Sequence, residues 1–339
     1  MKEIISLYQS KGSTVFTVFL DASKAFDRVN HKKLFTLLLQ RGVSKLIVRL
    51  LSYWYSHQRL FVKWGSTLSS PFNVTNGVRQ GGHLSPKLFN IYVDRLSTSL
   101  NKIHVGCIVN DALINHLMYA DDIVLFAPSL KGVQQLVRMC ELFSGDYDVI
   151  FNEKKSFNIN FKVGRDKYVP VNNIEMNGNV LTRANSIKYL GHYLSEDMND
   201  NIDIGRQIRC LYAAANSLKG HFVGCTVDVK CRLFKAYCQQ LYTCSLWNNF
   251  SVASMKKLRV AYNDAFRIVL GLPRWTSART LFVTLRVDYL DAVIRKSMYS
   301  ILGRLRNSKS SVLSNLYNLP NPAVANYMRS KVYVYVGDG

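Results

Sequence analysis

Residues 117–127 read Leu-Met-Tyr-Ala-Asp-Asp-Ile-Val-Leu-Phe-Ala, two apolar strand-like runs that meet at adjacent carboxylates, Asp121 and Asp122. Two anions at the tip of an apolar hairpin repel each other and lose part of their hydration, so the pair is costly unless a cation sits beside it. Alone, the same tetrapeptide also reads as a solvated turn that closes a hairpin. A second stretch supplies context. Residues 14–27 read Thr-Val-Phe-Thr-Val-Phe-Leu-Asp-Ala-Ser-Lys-Ala-Phe-Asp, a β-rich run that ends in Asp21 and turns into a helix starting near Asp27 or Asn30. A carboxylate at a strand end beside others on a hairpin tip is the arrangement that holds two Mg²⁺ ions about 3.5–4 Å apart for in-line phosphoryl displacement.

Between these stretches lies Asn76-Gly77-Val78-Arg79-Gln80-Gly81-Gly82-His83-Leu84-Ser85-Pro86, followed by a helical run from Lys87 to Leu96. Glycines ahead of a helix let backbone N–H groups approach a ligand, and Ser85-Pro86 is a helix-start signal. In this order and at these spacings the segments resemble a reverse transcriptase of the non-LTR (LINE-type) retrotransposons. Asp21 to Asp27 is similar to the first palm motif of that family, Arg79 to Pro86 to its template- and nucleotide-contacting motif, and Tyr119-Ala120-Asp121-Asp122 to its catalytic hairpin. Phe151-Asn152-Glu153-Lys154-Lys155-Ser156 resembles the fourth motif with its lysine, and Lys188-Tyr189-Leu190-Gly191 the primer-grip hairpin. The chain departs from the pattern at Gly82-His83, where many relatives carry a different residue followed by proline.

The resemblance implies an α+β fold: a right-hand polymerase palm, an antiparallel sheet with helices, followed by a helical thumb. It places the palm with partial fingers in residues 1–200 and the thumb in 201–305, and the Ser and Asn clusters and final Gly-Asp-Gly of 306–339 read as a loosely ordered C-terminal extension. The implied activity is RNA-directed DNA synthesis, in which a dNTP is joined to the 3′-hydroxyl of a DNA primer on an RNA template, with two Mg²⁺ ions or Mn²⁺ in their place. Asp21, Asp121, Asp122 and the Ala22 carbonyl are then the metal ligands. Lys155 becomes the general acid for pyrophosphate, although the adjacent Lys154 offers the same chemistry and a lysine pair on a polar turn is usually plain surface. Phe26 corresponds to the aromatic gate that collides with a 2′-hydroxyl; by composition alone it reads as a core aromatic. Arg79, Gln80 and Gly81 are the implied nucleotide contacts, and Tyr189, Leu190 and Gly191 the implied primer grip. About a dozen residues precede the first strand, which points to a piece of a longer protein with fingers and an endonuclease. Two other readings stay open: a truncated or co-opted remnant that binds nucleic acid without polymerising, and a group II intron-like maturase.

The charge balance implies a polyanionic partner or an anionic surface. Among 339 residues, 44 are basic and 22 acidic, a formal charge of +22, and the excess is uneven. Residues 1–200 carry 24 basic and 16 acidic groups, net +8, whereas residues 201–339 carry 20 and 6, net +14, and no glutamate follows Glu196. Seven cysteines form no C-x-x-C pair and no zinc spacing, which fits a reducing compartment, nucleus or cytoplasm, rather than secretion. There is no signal-peptide pattern and no apolar run of about 18 residues, so no membrane role is expected.

Periodicity predicts a strand over 13–21, helices over 31–39 and 44–56, and a hairpin flanking Gly65-Ser66. A long helix follows Pro86, another is capped by Ser129 and runs to about residue 147, and strands near 157–161 and 186–194 are expected to close the sheet. Beyond residue 200, helices are predicted over 204–219, 227–247, 254–270 and 287–305, with Gly271-Leu272-Pro273 as a break.

Overall fold

The computed structural model describes residues 1–163, 173–319 and 322–332. Two compact units divide most of the chain: Thr14–Asn160 in one, and Met1–Ser13 with Asn185–Gly339 in the other.

The first unit is built on the run around Asp21. Its β-branched and aromatic residues form the strand Val15–Asp21, buried along nearly its whole length. Side chains alternate between faces: Phe16, Val18 and Leu20 join the core cluster that the helices cover, while Thr17 donates its hydroxyl to the Ile159 carbonyl at 2.7 Å. This strand lies at the centre of a five-stranded sheet. In order across the sheet, the strands are Thr182–Arg183, Phe157–Phe161, Val15–Asp21, Asp122–Ala127 and His116–Tyr119. The last three are antiparallel neighbours. The helices Ser85–Asn101 and Leu130–Tyr147 pack on the sheet and fill the core with Leu88, Leu96, Leu136, Val137 and Cys140.

Local signals set the helix ends. The Asn30 side chain accepts the Lys33 N–H at 3.2 Å ahead of His31–Gln40, and Ser129 accepts the Gly132 N–H at 3.2 Å ahead of Leu130–Tyr147. Ser85 begins its helix without capping it; its hydroxyl turns back to the Arg79 carbonyl at 2.5 Å. Four two-residue strands form the hairpin around Gly65-Ser66, and all of their residues are exposed.

The second unit is mostly helical. It comprises Asn201–His221, Val227–Tyr237, Val252–Leu270, Ala278–Thr284, Leu290–Arg306, Ser311–Tyr317 and Ala323–Val332. Its core centres on Phe234, Trp247, Tyr262, Phe266 and Phe282, with the Phe282 ring stacked on both Tyr262 and Phe266. The helix Lys2–Ser10 belongs here too. Lys2 pairs with the buried Asp200 at 2.7 Å, and the Glu3 carboxylate accepts the Ala325 N–H at 2.8 Å at the start of the Ala323–Val332 helix.

Several expectations are corrected. Residues 186–195 do not close the sheet: among the described residues, Ser186–Tyr189 and His192–Ser195 pair only with each other, and the sheet edge beside Phe157 is occupied by Thr182–Arg183 running parallel to it. The helix predicted over 227–247 stops at Tyr237, and Thr243 takes φ +70° with its hydroxyl held by Asp203 at 2.9 Å, a conformation no helix accepts. In the segment expected to be loosely ordered, Ser311–Tyr317 and Ala323–Val332 are helices, anchored by buried Leu316 and by buried Val324, Ala325 and Met328; residues 333–339 lie outside the described residues. Hairpins at Cys107–Ile114 and Glu175–Val180, and the helix Ala278–Thr284, escaped the periodicity because each is too short to show one.

Candidate active site

Strand register brings the carboxylates together. Asp21, last residue of the central strand, is the Cα partner of Asp122, first residue of the neighbouring strand, and Tyr119 faces Asp122 across the hairpin. A two-residue turn, Ala120-Asp121, joins the strands, and Ala120 has φ +54°, the sign that tight hairpin turns demand. Asp21, Asp121 and Asp122 therefore cluster at one end of two adjacent strands. Partial burial, then the charges of Asp121 and Asp21, hold the Asp122 carboxyl above its ordinary value. Among the described residues, no Lys, Arg or His side chain forms an ion pair with any of the three.

The backbone after Asp21 is held by residues 150–156. Ser23 N–H donates to the Ile150 carbonyl and Asn152 N–H to the Asp21 carbonyl, both at 2.8 Å, around the bridge between Ala22 and Phe151. Ala22 is thus the non-hydrogen-bonded member of that antiparallel pair, so the pairing leaves its carbonyl oxygen uncommitted. The same segment presents Lys154 and Lys155, both exposed, on the 3₁₀ turn Glu153–Lys155.

The residue-76 loop is clamped to the turn after Asp21. Gly77 N–H donates to the Val29 carbonyl and Val78 N–H to the Phe26 carbonyl, each at 2.8 Å, and Gln80 Nε2 donates to Asp27 at 3.3 Å. Gly77 has φ +93°, and a Cβ there would lie 2.8 Å from the Asp27 carbonyl oxygen. Glycine is required on both counts. Phe26 is half-buried and stacks on Phe89 with ring centroids 4.4 Å apart, while Arg79, Gln80 and Gly81 are exposed. A cleft of about 690 Å³ opens between Asp27, Trp54, His57, Arg59, Phe72 and the loop Asn76–Gln80. At the departure from the family pattern, Gly82 is constrained because a Cβ would sit 2.7 Å from Ser85 Oγ; His83 is simply exposed.

Leu190 and Gly191, with φ +45° and +80°, form the turn of the hairpin Ser186–Ser195 in the helical unit, and Tyr189 ends its first strand opposite His192. A buried network that the sequence reading missed anchors this hairpin. Asp203 accepts from His192 Nδ1 at 3.1 Å, Tyr193 N–H at 3.2 Å, Arg206 Nε at 2.8 Å and Trp247 Nε1 at 2.8 Å. Burial alone would raise the Asp203 carboxyl, but these donors outweigh it and hold it well below the usual carboxylate range. Burial likewise disfavours the charged form of His192, yet Asp200 and Asp203 raise it above its ordinary value.

Among the described residues, no group of three or more His, Cys, Asp or Glu side chains is placed so that it could hold a metal ion by itself. The carboxylate cluster nonetheless fits Mg²⁺, which is bound through one or two carboxylates together with water and substrate phosphates rather than by an all-protein cage. Asp21, Asp121, Asp122 and the Ala22 carbonyl would be the donors to such an ion.

The family described as reverse transcriptase (RNA-dependent DNA polymerase) matches residues 2–194. The chain belongs to the reverse transcriptase family. It is similar to the Pol polyprotein of the type-2 retrotransposable element R2DM of Drosophila melanogaster, with 34% identity over 143 residues, 42% of this chain and 13% of that protein. The probable RNA-directed DNA polymerase from transposon X-element of the same organism is 24% identical over 327 residues, 93% of this chain and 35% of that protein. These relatives make it a reverse transcriptase of the LINE type. Among solved structures, apo telomerase from Candida tropicalis aligns over 96% of this chain and 56% of that one, with a TM-score of 0.45 and 13% identity. The chain thus spans between 13% and 35% of the two curated relatives' lengths. Among the described residues, no helix is long and apolar enough to cross a membrane.

Proposed function

We propose that this chain is the palm and thumb of a retrotransposon polymerase that extends a DNA primer on an RNA template by two-metal phosphoryl transfer, within a longer polypeptide carrying fingers and an endonuclease. The observation that carries the proposal is the pairing of Asp21 with Asp122 beside Asp121 at the strand ends, without a cationic partner among the described residues. Two divalent ions, when bound, would activate the primer hydroxyl and neutralise charge on the transferred phosphate.

Asp21 and Asp121 would ligate these ions, with Asp122 and the Ala22 carbonyl in support. Fixed on strand ends, they need little reorganisation as charge develops. Phe26, held against Phe89, forms a rigid wall where the sugar of the incoming nucleotide is expected, so a 2′-hydroxyl would collide with it. Gln80 and Gly81 line that nucleotide, Arg79 takes a phosphate or the template, and Lys155 gives a proton to the departing pyrophosphate. Tyr189, Leu190 and Gly191 hold the primer. The helices of residues 201–305 act as the thumb, and their excess of cations binds the hybrid backbone.

The test is primer extension with hybrid binding measured in parallel. Asp121→Asn in the full-length polypeptide abolishes extension and leaves hybrid affinity nearly unchanged, since the lost charge contacts no phosphate directly. Extension at the unaltered rate would refute the assignment.

A further inference from the structure

The turn that carries Lys154 and Lys155 is only three residues long and both lysines are exposed, yet it is fastened from two sides. On one side, Asn152 N–H donates to the Asp21 carbonyl at 2.8 Å. The Ser156 hydroxyl donates to the Asn152 carbonyl at 2.8 Å and accepts the Asp21 N–H at 3.3 Å. On the other, the Glu153 carboxylate is gripped by two side-chain amides. Asn177 Nδ2 donates to Oε1 at 2.8 Å and Asn179 Nδ2 to Oε2 at 2.6 Å.

These asparagines belong to the hairpin Glu175–Val180, whose Asn177-Gly178 turn has positive φ at both positions, +49° and +78°. The hairpin is itself rigidly based. Gln134 bonds both the N–H and the carbonyl of Glu175, at 2.9 and 2.8 Å, and Glu141 accepts the Asn177 N–H at 2.5 Å. Ile174, Met176 and Leu181 beneath it are buried in the core.

The choice of donor matters. Glu153 adjoins two lysines, and a free carboxylate there would attract an ammonium and withdraw it from other anions. Two neutral amides occupy both of its oxygens instead, and among the described residues no ion pair forms between Glu153 and Lys154 or Lys155. We propose that Asn177 and Asn179 are positioning residues: by clamping Glu153 they set the Lys155 turn against Asp21 and keep the lysine charge free for a phosphate. This rests on the reading of Lys155 as the proton donor to pyrophosphate.

The test is single-turnover nucleotide incorporation by the full-length polypeptide, with Asn177→Ala/Asn179→Ala introduced both into the natural sequence and into a Lys155→Ala background. Misplacing a reacting group by about 1 Å costs up to roughly a hundredfold in rate. The asparagine pair should therefore lower the maximal rate on the order of tenfold or more, with template–primer affinity unchanged, and add almost nothing once Lys155 is gone. If the asparagine variant loses template–primer binding through misfolding, Glu153→Gln, which turns one acceptor into a donor facing an amide, takes its place in the same cycle. Equal losses in both backgrounds would reduce the clamp to a structural feature, and no loss in either would overturn it. Lys155→Ala at the natural rate would refute the role of Lys155 itself, whatever the asparagines do.

Discussion

Gly77 couples the nucleotide loop to the turn after Asp21, and replacing it by alanine separates two costs. The first is conformational: φ is +93°, where an L-residue is disfavoured by about 1–2 kcal/mol. The second is steric. A methyl group would lie 2.8 Å from the Asp27 carbonyl oxygen and 2.9 Å from its Cα, both backbone atoms that cannot swing aside as a side chain would. Relief requires the loop to move away and release the bonds from Gly77 N–H to Val29 and from Val78 N–H to Phe26, each worth about 0.5–1.5 kcal/mol. The total is about 2–5 kcal/mol. Gly81 is the internal control, with φ +79° and nothing within 4 Å of a built Cβ, so Gly81→Ala carries the conformational cost alone. Urea unfolding of both variants measures the difference. If Gly77→Ala is no more destabilising than Gly81→Ala, the loop is not clamped and the geometry proposed for Arg79 and Gln80 fails.

Two further outcomes follow from the same geometry. Phe26→Val removes the ring stacked on Phe89 and should raise incorporation of ribonucleotides relative to deoxyribonucleotides in a competition assay; an unchanged ratio would disqualify Phe26 as the gate. The His192–Asp203 network makes stability depend on pH at both ends. His192, raised in the folded state, contributes stability fully present below its unfolded value near 6.5 and lost as pH rises through its folded value. Asp203, lowered in the folded state, contributes stability present above about pH 4 and lost as pH falls. Thermal unfolding followed across pH should show both losses, and Asp203→Asn should remove the acidic one and only weaken the other, because Asp200 still holds His192; a profile identical in the variant would contradict the network.

Features carried by local pattern were legible in the sequence. The run from Thr14 to Asp21 is rich in β-branched and aromatic residues and nearly continuously apolar, as a strand buried on both faces must be, Asn30 and Ser129 cap where capping residues belong, and Asp121-Asp122 interrupts an apolar hairpin. Partnerships across long separations were not. That Asp21 pairs with Asp122 rather than a neighbour two residues along is fixed by sheet register, which local periodicity does not encode. The hairpin Ser186–Ser195 has the alternation of a sheet strand, but its placement depends on Asp203 and Trp247, whose polar atoms meet only in the folded unit. Lys2 finds Asp200, and Glu3 finds Ala325, across nearly the whole chain. One signal was present and went unread: Asn177-Gly178 is a strong two-residue hairpin sequence, and it marks the hairpin that grips Glu153.

The central claim, that Asp21 and Asp121 hold catalytic divalent ions, is tested most directly by substituting Fe²⁺ for Mg²⁺ and mapping where the hydroxyl radicals it generates cut the polypeptide. The account predicts cleavage near Asp21-Ala22 and within Tyr119–Asp122, suppressed by excess Mg²⁺ and lost in Asp121→Asn. Cleavage confined to other segments, or a pattern unaffected by Asp121→Asn, would contradict it.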